Sequence, residues 1–233
     1  MYYCIDNINL DRVDSFKDLG VVFDTKLNFR THIDEKVNKA YQMLGILKRN
    51  FIHLDADSFL LLYKALVRSH LEYANIIWMP YFQEDIEKIE KVQKRATKLI
   101  RTVRKLSYQA RLEKLDLPTL KYRRHRGDMI ELYKMVTNKY DQDVLPNLVY
   151  KVPVGMHTRG NALKMCQQHS HYNLRRHFFI NRTVSIWNSL PDTIIEAETI
   201  NIFKNRLDKF WNTQEIKYNW KTVLSGTGSR SIK

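Results

Sequence analysis

The chain has 233 residues, 44% hydrophobic and 12% aromatic, with 39 Lys and Arg against 25 Asp and Glu for a net charge of +14. That apolar content is enough to bury a core, which excludes disorder throughout, and no apolar run approaches the ~20 residues that span a bilayer. Two cysteines, Cys4 and Cys166, exclude a disulfide-dense scaffold and point to a reducing, intracellular compartment, cytoplasmic or nuclear.

The first residues, MYYCIDNINLDRVDSF, lack the basic start and apolar stretch of a signal peptide, so secretion is not expected. Seven Gly and five Pro leave few helix breakers, and the predicted class is mainly α with some β (α+β). The basic excess is local. Residues 1–90 hold 11 basic and 14 acidic side chains, residues 91–134 hold 14 and 4, and residues 135–233 hold 14 and 7. So concentrated a middle segment predicts a polyanion-facing surface, nucleic acid first among them, with a merely solvated helix face as the alternative.

In chain order, Tyr2, Tyr3 and Ile5, then Ile8 and Leu10, then the run from Phe16 to Phe23 read as three short strands separated by polar turns. From Thr31, a possible cap, apolar residues at Ile33, Val37, Ala40, Tyr41, Leu44 and Leu47 share one helical face. Asp55 or Asp57 can start a second helix, too apolar for exposure, and Pro80 ends the run Ile76 to Met79. A helix over about Gln83 to Thr102 has Ile86, Ile89, Val92, Ala96, Leu99 and Ile100 on one side. Lys91, Lys94, Arg95, Lys98 and Arg101 lie on the other. Glu87 and Glu90 can pair with Lys91 and Lys94 at i,i+4, which leaves Lys98, Arg101, Arg104 and Lys105 as the freer cations.

Ser107 can cap a short helix to Leu115, and Pro118 suits the first turn of the next, about Pro118 to Thr137. That helix sets Tyr122, Met129, Leu132, Tyr133 and Val136 against a basic face of Arg123 and Arg124, flanked by Lys121 and Arg126. Asn138 to Asn161 reads as a linker with a short hairpin, weak strands falling at Val149 to Val152 and Ala162 to Cys166. Helices return at about Asn173 to Ser189 and Thr199 to Trp211, and disorder is predicted for the small polar tail from Leu224.

The chemistry of a stand-alone enzyme is missing: there is no P-loop, dinucleotide fingerprint, G-x-S-x-G, H-E-x-x-H or Asp-Asp pair. Asp18 and Asp24 read as turn residues rather than metal ligands. Cys166, His169, His171 and His177 are numerous enough for zinc, but their spacing fits no structural zinc pattern, and surface histidines are the preferred reading. The aromatics Trp78, Tyr81, Phe178, Phe179, Trp187, Phe203 and Trp211 read as core rather than as base-stacking platforms. No metal, catalytic residue or cofactor is assigned.

Phe16-Lys17-Asp18-Leu19-Gly20-Val21, with Asp24, Leu27, His32-Ile33, Lys36, Lys39-Ala40 and Leu44-Gly45, resembles the end of the reverse transcriptase domain of non-LTR retrotransposons, jockey and CR1 type. The likeness continues through Tyr63, Leu66 to Tyr73, Trp78 and Glu90 to Thr97, a segment near the thumb of such enzymes. Leu115 to Leu120, Arg123 to Met129, Tyr133-Lys134, Thr158 to Gly160, Phe178-Phe179, Arg182 and Trp187 to Pro191 resemble the family's C-terminal region, so nearly all of residues 8–211 is covered.

The resemblance implies palm-edge strands (1–30), a helical thumb-like region (31–137), a linker (138–160), a C-terminal α+β module of mainly helices (161–212) and a tail (213–233). It implies contact with the backbone of RNA or an RNA–DNA duplex through Lys98, Arg101, Arg104, Lys105, Arg123, Arg124 and Arg126, with Lys91, Lys94 and Arg95 as second choices. A palm and fingers polymerase part is the implied protein partner. The family's aromatic-x-Asp-Asp motif and its earlier metal-binding Asp are absent, as is its endonuclease, so polymerase activity does not transfer to this chain alone. Met1 then reads as a start within a truncated element. The alternatives are a helical protein-interaction module, orphaned or adopted by a host, and a fossil fragment without a selected role.

Overall fold

The computed structural model describes residues 4–6, 8, 9, 11–51, 55–146, 148, 150 and 163–226. The expectations for Tyr2, Tyr3, Leu10, Val149, residues 151–162 and the tail beyond 226 lie outside these described residues. The class is mainly α with small antiparallel β elements, α+β as the composition predicts.

Cys4–Ile5 (β1) pairs with Ile8–Asn9 (β2), and Ser15–Asp18 (β3) pairs with Val21–Asp24 (β4) in the register Phe16 to Phe23 and Lys17 to Val22. The FKDLGVVF run is therefore a hairpin, not one strand. Leu19 and Gly20 both take positive φ (43° and 80°), the combination whose twist matches a two-residue hairpin. Phe16 stacks on Phe23 at 5.1 Å, and the Tyr73 hydroxyl donates to the Leu19 carbonyl at 2.8 Å, tying the turn to the helices.

Arg30–Asn50 (α1) follows. Thr31 does not cap it. The Asp24 carboxylate accepts the backbone N–H groups of Lys26, Asn28 and Phe29, turning the chain so that the helix starts at Arg30, whose N–H meets Asn28 Oδ1 at 3.0 Å. Asp24 is thus a turn residue. Asp55 caps Ala56–Leu62 (α2) by accepting Ser58 N–H at 2.6 Å. The helix runs on through a π segment, Tyr63–Arg68, and Ser69–Glu72 (α3), burying Tyr63, Val67 and Leu71. Asn75–Trp78 (α4) precedes Gln83–Thr97 (α5).

Ser107 caps Tyr108–Lys114 (α6), and Thr119 caps Leu120–Val136 (α7) by accepting Tyr122 N–H at 3.1 Å, with Pro118 just outside the helix. The span predicted as one helix from Asn173 is two, Asn173–His177 (α8) and Phe179–Ser189 (α9). They break at Phe178, which is extended (ψ 147°) and 57% exposed, so this aromatic is not core. Asp192–Ile195 (α10) and Ile200–Phe210 (α11), capped by Thr199, complete the helices. Trp78, Phe179, Trp187, Phe203 and Trp211 are buried, as their helical spacing predicts.

Two cores form. The first joins Val21 of the hairpin, the apolar face of α1, the α2–α3 run, Trp78, α5 and residues up to Leu120. The second joins α7 from Tyr122 onward to α9, α10 and α11, and includes Ile216 and Leu224. Helix α7 thus enters both. Its Met129, Leu132, Tyr133 and Val136 belong to the second core, which also includes Ile216 and Leu224 beyond α11.

Candidate nucleic-acid interface

The predicted cations separate into two groups with opposite fates. Lys91, Lys94, Arg95, Lys98, Arg101, Arg104 and Lys105 are all exposed. Lys91 pairs with Glu87 at 3.3 Å, and Arg95 lies over the Tyr41 ring at 5.6 Å. The side chains of Lys94, Lys98, Arg101, Arg104 and Lys105 take no hydrogen bond or ion pair with a described residue. Their charge is available to solvent.

Their placement follows from how α5 ends. The helix predicted to reach Thr102 stops at Thr97 because Arg111, which is buried, takes its end. The Arg111 guanidinium donates to Thr97 Oγ1 at 3.0 Å, to the Lys94 carbonyl at 3.3 Å and to the Leu106 carbonyl at 2.9 Å. Residues 98–106 then form successive tight turns anchored inward by Ile100 and Val103. The cations between these anchors are held outward on a clamped turn at the C-terminal end of α5, where a helix favours positive charge.

This turn, the end of α1 and the start of α2 enclose an open groove of about 610 Å³. Its rim includes Lys48, Arg95, Lys98, Arg101 and Arg104, and its floor includes Leu47, Phe59 and Ile100. Lys48 was not among the predicted contacts. The signal was present in the sequence, since Lys48-Arg49 forms the last turn of α1. What brings Lys48 to the rim is the packing of α1 against α5, which one-dimensional spacing does not show.

The α7 cations fare differently. Arg123 makes a two-pronged pair with Glu72, which also pairs with Arg68 at 3.4 Å. Arg126 pairs with Asp208 through two bonds of 2.6 and 2.7 Å. Lys121 is largely buried and donates to the Thr222 carbonyl at 2.7 Å. Arg124 is 1% exposed, its nitrogens meeting no hydrogen-bond acceptor among the described residues, in the field of Glu90, Glu72 and Asp128. Arg124 therefore cannot reach a phosphate, and Arg123 and Arg126 are engaged within the fold. The polar face of α7 is thus a seam largely engaged within the fold, Arg124 buried and Arg123 and Arg126 about a quarter exposed in their ion pairs.

The same seam holds other polar groups, Glu90 and Asp128 buried among them. Glu90 accepts from the Tyr108 hydroxyl at 2.6 Å and from Leu120 N–H at 3.1 Å, and burial raises its pKa against those bonds. Arg182 holds Asp128 with two bonds of 3.0 Å and donates to the Ile76 carbonyl at 2.8 Å, joining α9 to α7 and α4. Burial, then the charges of Arg124, Lys121 and Arg182, push His125 down to about 3.

The histidine-rich stretch does not assemble into a metal centre among the described residues. His177 stacks on Tyr81 at 4.4 Å, His169 sits edge-on to His171, and the Cys166 thiol faces the Tyr150 carbonyl at 3.6 Å. No helix of the described residues is long and apolar enough to cross a membrane. No protein-family model, curated protein or solved structure matches the chain.

Proposed function

We propose that this chain is the C-terminal part of a non-LTR retrotransposon reverse transcriptase and grips the backbone of RNA or an RNA–DNA duplex without reading its sequence. In this reading it works inside the cell, in cytoplasm or nucleus. Catalysis falls to a palm and fingers partner carrying the Asp-Asp pair, which the 233 residues do not contain. The observation that supports the reading is the rim of exposed cations, Lys98, Arg101 and Arg104, unpaired among the described residues, on a turn clamped by Arg111. Such cations bind phosphates by displacing condensed counterions, which fixes register on a duplex but not sequence.

The test is a filter-binding titration on an RNA–DNA duplex at several salt concentrations. Four or five phosphate contacts predict an affinity loss on the order of 10²-fold between 50 and 200 mM salt. Charge reversal at Arg101 and Arg104 together is expected to weaken binding at least tenfold while leaving the fold intact. Affinity indifferent to both salt and these substitutions would overturn the reading.

A second reading, a helical protein-interaction module, is favoured by a separate apolar cavity of about 360 Å³. Phe29, Ile77, Met79, Leu174 and Phe178 are among its lining residues, and Ile77 and Phe178 stand about half exposed. Concentration-dependent association by light scattering, with no affinity for nucleic acid, would select it.

A further inference from the structure

The basic groove is not built as a flat cationic surface. Its floor is apolar, with Leu47, Phe59 and Ile100 buried beneath it, and Phe51 on its wall is 44% exposed immediately after the last turn of α1. A duplex backbone needs only an outer array of cations, because its bases are stacked on each other and their faces are covered. An unpaired base has a free π face, and an aromatic ring beside a cationic track is the arrangement that accepts it.

We infer that this groove receives an unpaired nucleotide, its base against Phe51 and its flanking phosphates on Lys98, Arg101 and Arg104; the inference rests on the backbone-binding reading above. The volume of about 610 Å³ suits a small ligand rather than a grazing contact. Asp55 is the acid among the lining residues. Its two carboxylate oxygens are engaged by Ser58 N–H at 2.6 Å and by the Ser58 hydroxyl at 3.1 Å, at the start of α2. Its remaining charge disfavours phosphate at that end and leaves the clamped turn as the phosphate side. The proposed ligand is thus a single-stranded segment or overhang, held at one base and two phosphates, without selection among the four bases.

The experiment uses the full chain with two probes of one sequence. One is a dye-labelled single strand carrying 2-aminopurine, the other the same strand in a blunt duplex, both followed by fluorescence anisotropy at low salt. The single strand is expected to bind more tightly and its 2-aminopurine fluorescence to be quenched on binding. Phe51→Leu, which keeps apolar bulk without a ring, should weaken the single strand about tenfold and leave the duplex unchanged, whereas Phe51→Tyr should retain strand binding. Unchanged duplex affinity also shows that the variant is folded. Equal effects of Phe51→Leu on both probes, an effect on neither, or no quenching would overturn the inference while leaving duplex gripping intact. Failure of both probes to bind the unaltered chain would overturn the backbone-binding reading as well.

Discussion

His32 is completely buried against Trp78, and its Nδ1 accepts the backbone N–H of Val22 at 3.1 Å, so the ring fastens the β3–β4 hairpin to α1 only while that nitrogen is unprotonated. Burial, with Lys36 and Lys17 nearby, lowers its pKa to about 4. In the unfolded chain the same ring titrates near 6.5. Between these values the unfolded state binds the extra proton. The stabilisation is therefore complete above about pH 6.5 and is lost progressively as pH falls toward 4. The share due to His32 is on the order of 3 kcal/mol. His32→Gln, whose side-chain oxygen can still accept from Val22, is expected to flatten that part of the pH dependence in denaturant titrations at pH 7, 5.5 and 4. A slope unchanged by the substitution would remove His32 from the account. This role was hidden in the sequence, where His32 enters only beside Ile33 in the resemblance motif. The hydrogen bond to Val22 exists only because the turn held by Asp24 folds α1 back against β4.

Among the elements, α7 gives the clearest contrast. Its apolar face was legible from spacing alone, and Met129, Leu132, Tyr133 and Val136 are buried as that spacing predicts. Its basic face was legible as charge but not as environment. A helical wheel assigns polar residues to solvent, yet the acids that meet Arg123 and Arg126 come from 51 and 82 residues away. No local pattern announces such partners. The caps at Asp55, Ser107 and Thr199, by contrast, bond within three residues, and the sequence places helix starts at Ser107 and Thr199 and at either Asp55 or Asp57. The same distinction explains the groove. The cations of residues 98–105 were readable in order, while their clamping by Arg111 and the arrival of Lys48 depend on tertiary packing. Charge reversal therefore has opposite consequences on the two elements. Arg123→Glu opposes Glu72 with a second carboxylate and is expected to lower stability by about 2–3 kcal/mol in urea denaturation. Arg101→Glu, on the exposed turn, should stay within about 0.5 kcal/mol of the parent. A stable Arg123→Glu chain with impaired binding would return α7 to the interface.

For the molecule as a whole, the polar seam around α7 runs where the two cores meet. Arg182 reaches across it, bonded to Asp128 on α7 and to the Ile76 carbonyl within α4, the helix that gives Trp78 to the first core. Removing one partner of a buried ion pair leaves the other charge without solvent or counterion. Arg182→Met is thus expected to cost about 3–5 kcal/mol. If the seam carries the coupling between the cores, the variant should also broaden the unfolding transition or split it in two. A single sharp transition at the parent midpoint would show that the cores cooperate through apolar contact alone.

The start of α7 is also fastened by a segment that follows it by about a hundred residues. Thr119 N–H donates to the Lys217 carbonyl at 2.8 Å, its hydroxyl to the Ile216 carbonyl at 2.7 Å, and Lys121 reaches the Thr222 carbonyl. During synthesis these acceptors leave the ribosome about a hundred residues after the donors, several seconds later at ordinary elongation rates. Throughout that interval α7 has its Thr119 cap but not its clasp, and Lys121 and Arg124 have no finished interior to enter. The cations that end up inside the molecule are thus outside it first, and the segment that closes the central helix is made about a hundred residues after that helix begins.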